Sequence, residues 1–376
     1  MAVMPSAQTP APSAPSVPLS ELRVVSLPEQ ELVDHLSIRV PGFRYVLWDM
    51  AGDPVGARAD EIDVAVAPYF TGRWAGALPA ATRLRLVQLQ STGFDGVPEA
   101  IGPDLALSTA GWVHAAGTAE LALGLMIAAQ RELDRAVLQQ RDGIWRRFET
   151  RTLADSRVLV LGVGEIGSAV VDRLLPFEVE VTRVASRART DERGPVHGID
   201  ELPALLPDAD VLVVALPASP ATDGLVDARV LSLLPDDALV VNVGRGRVVD
   251  TPALTAEVVS GRLRCALDVV EPEPFPGDHP LFRAPGAILT PHTGGSCTSY
   301  KPRVRRLLRT QLTRQTPATM GPRSESAAIL HHLVVPLRSP VAVHSIPAAL
   351  LSRLAAARLL LPDSTAALGS SAGRPP

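Results

Sequence analysis

Short apolar runs separated by mixed segments set the pattern from Arg23 to Ala110. Arg23–Leu27, Tyr45–Leu47, Ile62–Ala67, Leu84–Leu89 and Leu105–Ser108 read as strands, and stretches between them, such as Glu29–Ser37, as helices. This alternation predicts a small α/β unit with a largely parallel sheet. Residues 116–131 follow, with Leu121, Leu123, Leu125, Met126 and Ile127 apolar on most faces, which predicts a buried helix. A polar bridge containing Gln139, Arg141, Asp142 and Trp145 then leads into a second alternating region.

In that region Arg157–Leu161 reads as a strand, Glu165–Leu175 as a helix and Val179–Ala185 as a strand. Glu201–Leu206 reads as a short helix, and Val211–Leu216, Ala238–Val243, Arg264–Val270 and Ala287–Leu289 as further strands. Their continuous Val/Leu/Ala character fits strands buried on both faces, as in a doubly wound parallel sheet. Thr251 as N-cap, Pro252 at the first helical position and Gly261 just past the end mark another helix. Beyond about Arg314 the pattern changes to a stretch rich in Ala, Leu, Pro, Ser and Arg, and residues 315–376 are expected to be disordered or loosely packed. A disordered tail is also expected over residues 1–20, rich in Ala, Pro and Ser.

Composition narrows the classes. A chain of 376 residues suggests two or three units at roughly 100–200 residues each. A net charge of −4 offers no basic field for nucleic acid. No stretch approaches the roughly 18 apolar residues of a membrane span, and the first residues lack the charged and apolar regions of a signal peptide. Two cysteines, Cys265 and Cys297, make no disulfide framework, so a reducing, cytoplasmic setting is expected, with Cys265 a buried small hydrophobe. His331-His332 is too little for a metal site, and none is expected.

The first candidate chemistry is Gly162-Val163-Gly164-Glu165-Ile166-Gly167, a G-x-G-x-x-G after a strand and opening a helix. That context is what dinucleotide binding requires. Gly162 permits the tight turn, Gly164 lets a pyrophosphate approach the backbone, and Gly167 lets helix and strand pack closely. The helix N-terminus offers free N–H groups to the anion. An acidic residue about 20 positions on normally takes the ribose 2′-hydroxyl of NAD. Here that place holds Ala185, Ser186 and Arg187, with Arg189 nearby, so NADP is expected ahead of NAD.

Three later strand ends carry polar residues that a buried sheet does not otherwise need. These are Asn242-Val243-Gly244-Arg245-Gly246, Asp268-Val269-Val270-Glu271-Pro272-Glu273-Pro274 and Thr290-Pro291-His292-Thr293-Gly294-Gly295. Ligands of open α/β sheets bind outside the carboxyl ends of the strands, so an arginine, a carboxylate and a histidine can meet in one crevice.

With these motifs the chain, over roughly residues 23–314, resembles the D-isomer-specific 2-hydroxyacid dehydrogenases, a family that includes glyoxylate/hydroxypyruvate reductases. The resemblance implies that Arg245 holds the substrate, Glu273 orients the histidine and His292 is the acid/base. The chemistry suits those types. Charge grows on the carbonyl oxygen of a 2-oxo acid as it is reduced, and a protonated histidine can donate to it. A neighbouring carboxylate favours the charged imidazolium. Arginine binds a carboxylate bidentately without losing its charge.

The resemblance further implies a substrate-carboxylate loop at Ser91-Thr92-Gly93-Phe94-Asp95, with Thr92, Gly93 and Phe94 binding the substrate. Tyr69 lines the same cleft, and Leu216, Pro217 and Thr222 lie beside the cofactor ribose. Asp268 contacts the nicotinamide side or caps its strand end, and His114 is structural. A Rossmann cofactor domain, residues 116–295, is implied to be inserted in a smaller flavodoxin-like substrate domain, residues 21–115 plus 296–314. A homodimer through the helix matching residues 117–131 is implied as well. Two other readings remain on the same fold: a phosphoglycerate dehydrogenase, and a nicotinamide-sensing protein of the corepressor type. A formate dehydrogenase fits less well, because glutamine is expected there in place of Glu273.

Overall fold

The computed structural model describes residues 23–69, 74–313 and 334–335. The chain opens with β1 (Val24–Leu27), α1 (Gln30–Arg39), β2 (Arg44–Leu47), β3 (Val64–Val66), β4 (Leu86–Gln88), α2 (Val97–Ile101) and β5 (Ala106–Ser108). These strands form one parallel sheet in the order β5-β4-β3-β1-β2, the flavodoxin-like arrangement. Long α3 (Ala115–Gln130) and short α4 (Leu133–Arg141) lead to the second unit.

That unit contains β6 (Arg157–Leu161), α5 (Glu165–Leu174), β7 (Glu180–Ala185), β8 (Arg189–Asp191), β9 (Gly194–Gly198), α6 (Leu202–Leu205) and β10 (Val211–Val214). It continues with α7 (Ala228–Ser232), β11 (Leu239–Asn242), α8 (Thr251–Val259), β12 (Arg264–Leu267) and β13 (Ala287–Leu289). The sheet runs β13-β12-β11-β10-β6-β7-β9-β8, parallel except for the β8–β9 hairpin. Strand order reverses between β6 and β10, which creates the crevice of a doubly wound sheet.

Alternation within the strands explains why both faces are covered. Val158 and Val160 of β6, with Val211 and Val213 of β10 and Leu239 and Val241 of β11, pack under α3 and α5. Leu159, Leu161, Leu212, Val214 and Val240 face the opposite layer with Leu231 and Leu254. Successive side chains point to opposite faces, so a strand apolar at every position needs a layer on each side. The first sheet follows the same rule, with Val25, Leu27, Val64 and Val66 on one face and Val24, Ala65 and Ala67 on the other.

The last helix among the described residues, α9 (Tyr300–Thr313), returns to the first unit. Its Tyr300, Val304, Leu307, Leu308 and Leu312 are buried with Val25, Leu27 and Leu36. The helix thus completes a core that the amino-terminal strands begin. Beyond it, Val334–Val335 (β14) pairs antiparallel with β5. The remainder of the expected tail over residues 315–376, like residues 1–20, lies outside the described residues.

One local expectation needs correction, and two elements were not anticipated. Helix α8 is capped by Asp250, whose carboxylate accepts from the Ala253 N–H at 2.9 Å, so Thr251 is the first helical residue and Pro252 the second. Asp is as good a cap as Thr, and its charge also meets the positive helix end. The polar bridge after α3 contains a helix, α4, with no buried residue. The β8–β9 hairpin is pinned by buried Arg183, which pairs with Asp191 and donates to the carbonyls of Gly194 and Pro195.

Replacing Leu308, almost fully buried between α9 and the first sheet, by alanine is expected to cost about 2–4 kcal/mol of stability, read from urea unfolding. An unfolding midpoint equal to that of the unaltered chain would show that α9 is not part of this core.

Candidate active site

The crevice lies where β6 and β10 diverge. The turn after β6 carries Gly162, whose φ of +102° lies in the left-handed region. A Cβ there would sit 2.7 Å from the Ala215 carbonyl oxygen at the end of β10. At Gly167 a Cβ would come 1.7 Å from the Gly162 carbonyl oxygen, so the turn of α5 presses on the strand end. A Cβ on Gly164 would meet nothing within 4 Å, and Gly164 and Glu165 are exposed at the start of α5 while Ile166 is half-buried. Two glycines thus serve packing, and the third leaves open backbone at a helix N-terminus, the arrangement that suits a pyrophosphate.

Around this turn, Ser186 and Arg187 follow β7 and are exposed, and Arg187 has no ion-pair partner among the described residues. Leu216 and Pro217 follow β10, and the Thr222 hydroxyl donates to the Pro217 carbonyl at 2.7 Å, tightening that loop. A Cβ on Gly244 would lie 2.5 Å from the Leu216 carbonyl oxygen, so the loops after β10 and β11 are in contact.

The adjacent strands β11, β12 and β13 place the next three groups side by side. After β11, Asn242 is buried and braces its loop: its amide donates to the Arg245 carbonyl, and its oxygen accepts from the Gly244 N–H. Arg245 leaves this brace and reaches the other sheet, where its Nε donates to Asp95 Oδ2 at 2.9 Å. Its Nη1 donates to the Gly244 carbonyl, and Nη2 lies where a Gly93 side chain would be, 1.6 Å from the ideal Cβ position.

After β12 the Asp268 carboxylate is 3 % exposed. Oδ1 accepts from the Thr290 hydroxyl at 2.6 Å and the Thr293 N–H at 2.8 Å, and Oδ2 from the Gly294 N–H at 2.9 Å. These donors tie the loop of residues 290–294 to the end of β12. The backbone of His292, at φ +52°, is left-handed, a conformation that costs a residue with a side chain about 1–3 kcal/mol. Bonds from the His292 N–H to the Asp268 and Thr290 carbonyls hold it there.

His292 Nδ1 donates to Glu273 Oε2 at 2.8 Å, and Glu273 Oε1 accepts from the Val270 N–H. With Nδ1 engaged, Nε2 is the ring nitrogen left for a substrate, and the half-exposed imidazole can exchange its proton with solvent. A donor tied to a carboxylate and an anchored guanidinium can together protonate a carbonyl oxygen and hold an acid.

On the side of the first sheet, Thr92 donates to the Gly111 carbonyl at 2.7 Å and Ser91 to the Gly93 carbonyl, which fixes the 91–95 loop, and Phe94 packs among the apolar residues of that unit. Tyr69 stacks on Tyr300 and His114. A Cβ on Gly295 would come 2.7 Å from the Tyr69 hydroxyl, which places this stack against the His292 loop. His114 is buried, its Nε2 donates to the Gln90 carbonyl, and burial pushes its pKa down. It is a neutral structural ring, as expected. Burial also pushes the Cys265 thiol up to about 12, so it is a protonated core residue. Asp95 belongs to the expected Ser91–Asp95 loop, but its bond to Arg245 is not legible from the sequence, because an acid in a turn carries no sign of a partner 150 positions away.

Set beside known proteins, residues 123–294 match the model of the D-isomer specific 2-hydroxyacid dehydrogenase NAD binding domain. The chain is 29% identical over 235 residues to the human glyoxylate reductase/hydroxypyruvate reductase, covering 58% of this chain and 69% of that one. It is 30% identical over 253 residues to a hydroxypyruvate reductase of Thermotoga maritima, covering 65% and 81%. It is also 32% identical over 262 residues to a D-3-phosphoglycerate dehydrogenase of Mycobacterium tuberculosis, 67% of this chain but only 48% of that one. A solved D-isomer specific 2-hydroxyacid dehydrogenase of Xanthobacter autotrophicus Py2, in complex with NADPH and MES, superposes with a TM-score of 0.67 at 27% identity, covering 79% of this chain and 96% of that one.

Replacing Asp268 by asparagine turns an amide group toward donors that need acceptors. The expected cost is about 2–3 kcal/mol in urea unfolding. Stability equal to the unaltered chain would mean that the His292 loop does not depend on this carboxylate.

Proposed function

The chain belongs to the D-isomer specific 2-hydroxyacid dehydrogenase family, and from that premise we propose that it reduces a small 2-oxo acid of the glyoxylate or hydroxypyruvate kind, with Arg245, Glu273 and His292 carrying the chemistry. Its class is that of the NAD(P)-dependent oxidoreductases acting on CH–OH groups. The observation that carries the assignment of residues is the His292–Glu273 pair at 2.8 Å, two strands away from an arginine anchored at the cleft.

The cofactor fits Gly162, Gly164, Glu165, Ile166 and Gly167, with Leu216, Pro217 and Thr222 beside its ribose. When bound, it supplies the hydride for C2 of the acid. Arg245 holds the carboxylate of the acid together with the Thr92–Phe94 loop. His292 gives a proton from Nε2 to the oxygen as charge builds there, and takes it back in the oxidative direction. Glu273 fixes the ring through Nδ1. Asp268 positions His292, its carboxylate engaged by the loop donors. Exposed Arg187, with Ser186 before it, supports a preference for NADP over NAD.

The division into a substrate domain of residues 21–115 plus 296–314 and a cofactor domain of 116–295 is supported by the return of α9 to the first core. A homodimer is supported by α4 and the segment after it, where Val137 is 61% and Trp145 98% exposed beside Leu133, Leu138 and Ile144, apolar area adjoining the expected dimer helix α3. A reducing, cytoplasmic setting is supported by two unpaired cysteines.

Oxidation of NADPH and NADH, followed optically with glyoxylate, hydroxypyruvate and bulkier 2-oxo acids, tests the reading. Turnover with NADPH is expected, reduced on the order of 100-fold or more in His292→Ala. Near-normal turnover in that variant overturns the role of His292, and no turnover in a folded, cofactor-binding protein moves the reading to a sensing role. Arg187→Ala is expected to raise the KM for NADPH about tenfold and leave that for NADH unchanged. A tenfold preference of the unaltered enzyme for NADH defeats the NADP assignment. Light scattering tests the dimer: Trp145→Ser with Leu138→Ser is expected to give monomers where the unaltered chain gives dimers, and a monomeric unaltered chain is the contrary result.

A further inference from the structure

The bond between Arg245 and Asp95 joins residues 150 positions apart and spans the two sheets. Asp95 sits in the loop after β4, where its carboxylate has no other hydrogen-bond partner among the described residues. It takes the guanidinium by its Nε side rather than by the terminal fork. One donor of Nη1 goes to the Gly244 carbonyl. Of the five N–H donors of an arginine, three therefore have no partner among the described residues, one on Nη1 and two on Nη2. One from each Nη forms the terminal edge that binds a planar carboxylate bidentately.

The position of this edge is set by the loop itself. Nη2 occupies the space that any side chain at position 93 would fill. Gly93 thus makes room for the guanidinium, and Asp95, two residues on, keeps it there. Thr92, bonded to the Gly111 carbonyl, holds the loop that carries both. An arginine free to rotate would lose on the order of 1–2 kcal/mol of rotamer freedom when it bound an acid. A tethered one has lost it already, and a substrate meets a donor edge in place.

We propose that Asp95 is the positioning residue for Arg245, holding the guanidinium by Nε against Gly93 so that its terminal edge receives the carboxylate of the acid. This rests on the reading above and deepens it. A carboxylate beside an arginine could instead compete with the substrate for the same donors. The two roles differ in sign: loss of a tether weakens binding of the acid, and loss of a competitor strengthens it.

The test uses the full chain with NADPH bound, and oxamate as a carboxylate ligand that is not reduced. Calorimetry reads the Kd of oxamate and of NADPH, and steady-state kinetics the KM and kcat with glyoxylate. Asp95→Ala is expected to raise the oxamate Kd and glyoxylate KM about tenfold, the scale of one charged hydrogen bond, with the NADPH Kd within about twofold of normal. Asp95→Asn keeps an acceptor oxygen and is expected to recover part of the loss, to about threefold. Oxamate binding unchanged or tighter in Asp95→Ala overturns the proposal, as does an equal weakening of NADPH. Should the alanine variant not fold, Asp95→Asn decides alone, and oxamate binding equal to the unaltered protein is then the contrary result. An unaltered protein that binds oxamate but reduces no 2-oxo acid refutes the reductase reading and leaves the Asp95 measurement standing. One that binds NADPH and no oxamate refutes the seat itself.

Discussion

A carboxylate with almost no access to water sits at the end of β12, and the geometry of the histidine loop depends on it. Burying the charge of Asp268 without a cation is expensive, and the cost is offset only by donors aimed at it. The Thr290 hydroxyl and the N–H groups of Thr293 and Gly294 supply them. Those donors belong to the segment that turns through His292, so the arrangement that satisfies the charge also fixes the turn. The left-handed backbone of His292 is maintained by the same network, and with it the direction from which the ring meets Glu273. His292 is thus placed by the folding of two strand ends.

Much of this was legible in the chain. Strands apolar at every position declared a sheet covered on both faces, and the glycines of the first turn declared a strand pressed on a helix. The polar segments after β11, β12 and β13 stood out because a buried sheet has no other use for Asn242, Asp268 or His292. What stayed hidden depends on partners far along the chain. Asp95 gains meaning only from Arg245, and nothing local distinguishes it from any turn acid. The β8–β9 hairpin is short, charged and interrupted by Pro195, so its order comes from Arg183 beneath it rather than from β propensity. Helix α4 buries no residue, so its apolar Leu133, Val137 and Leu138 join no core that would mark it out. The cap of α8 was displaced by one residue because Asp250 and Thr251 are both good caps.

The two units divide the work along the cleft. The doubly wound sheet offers open backbone at Gly164 and the His292–Glu273 pair. The flavodoxin-like sheet offers the loop at Gly93 and Asp95 and the stacked rings of Tyr69, His114 and Tyr300. Arg245 belongs to the first by sequence and to the second by contact. A single side chain therefore reports on the relative placement of the two sheets, and a shift of one against the other by an ångström is felt at its guanidinium.

The return of α9 has a consequence for the order in which the protein is made. Leu27 and Leu36 leave the ribosome early, but Val304, Leu307 and Leu308, which cover them, emerge only after the whole intervening doubly wound unit. That unit is continuous and can close by itself as it is synthesised, whereas the amino-terminal sheet waits with one face only partly covered, by α1. Exposed apolar surface of this kind invites association with other nascent chains. The doubly wound unit can accordingly hold its whole core while the earlier part of the polypeptide still lacks its covering helix.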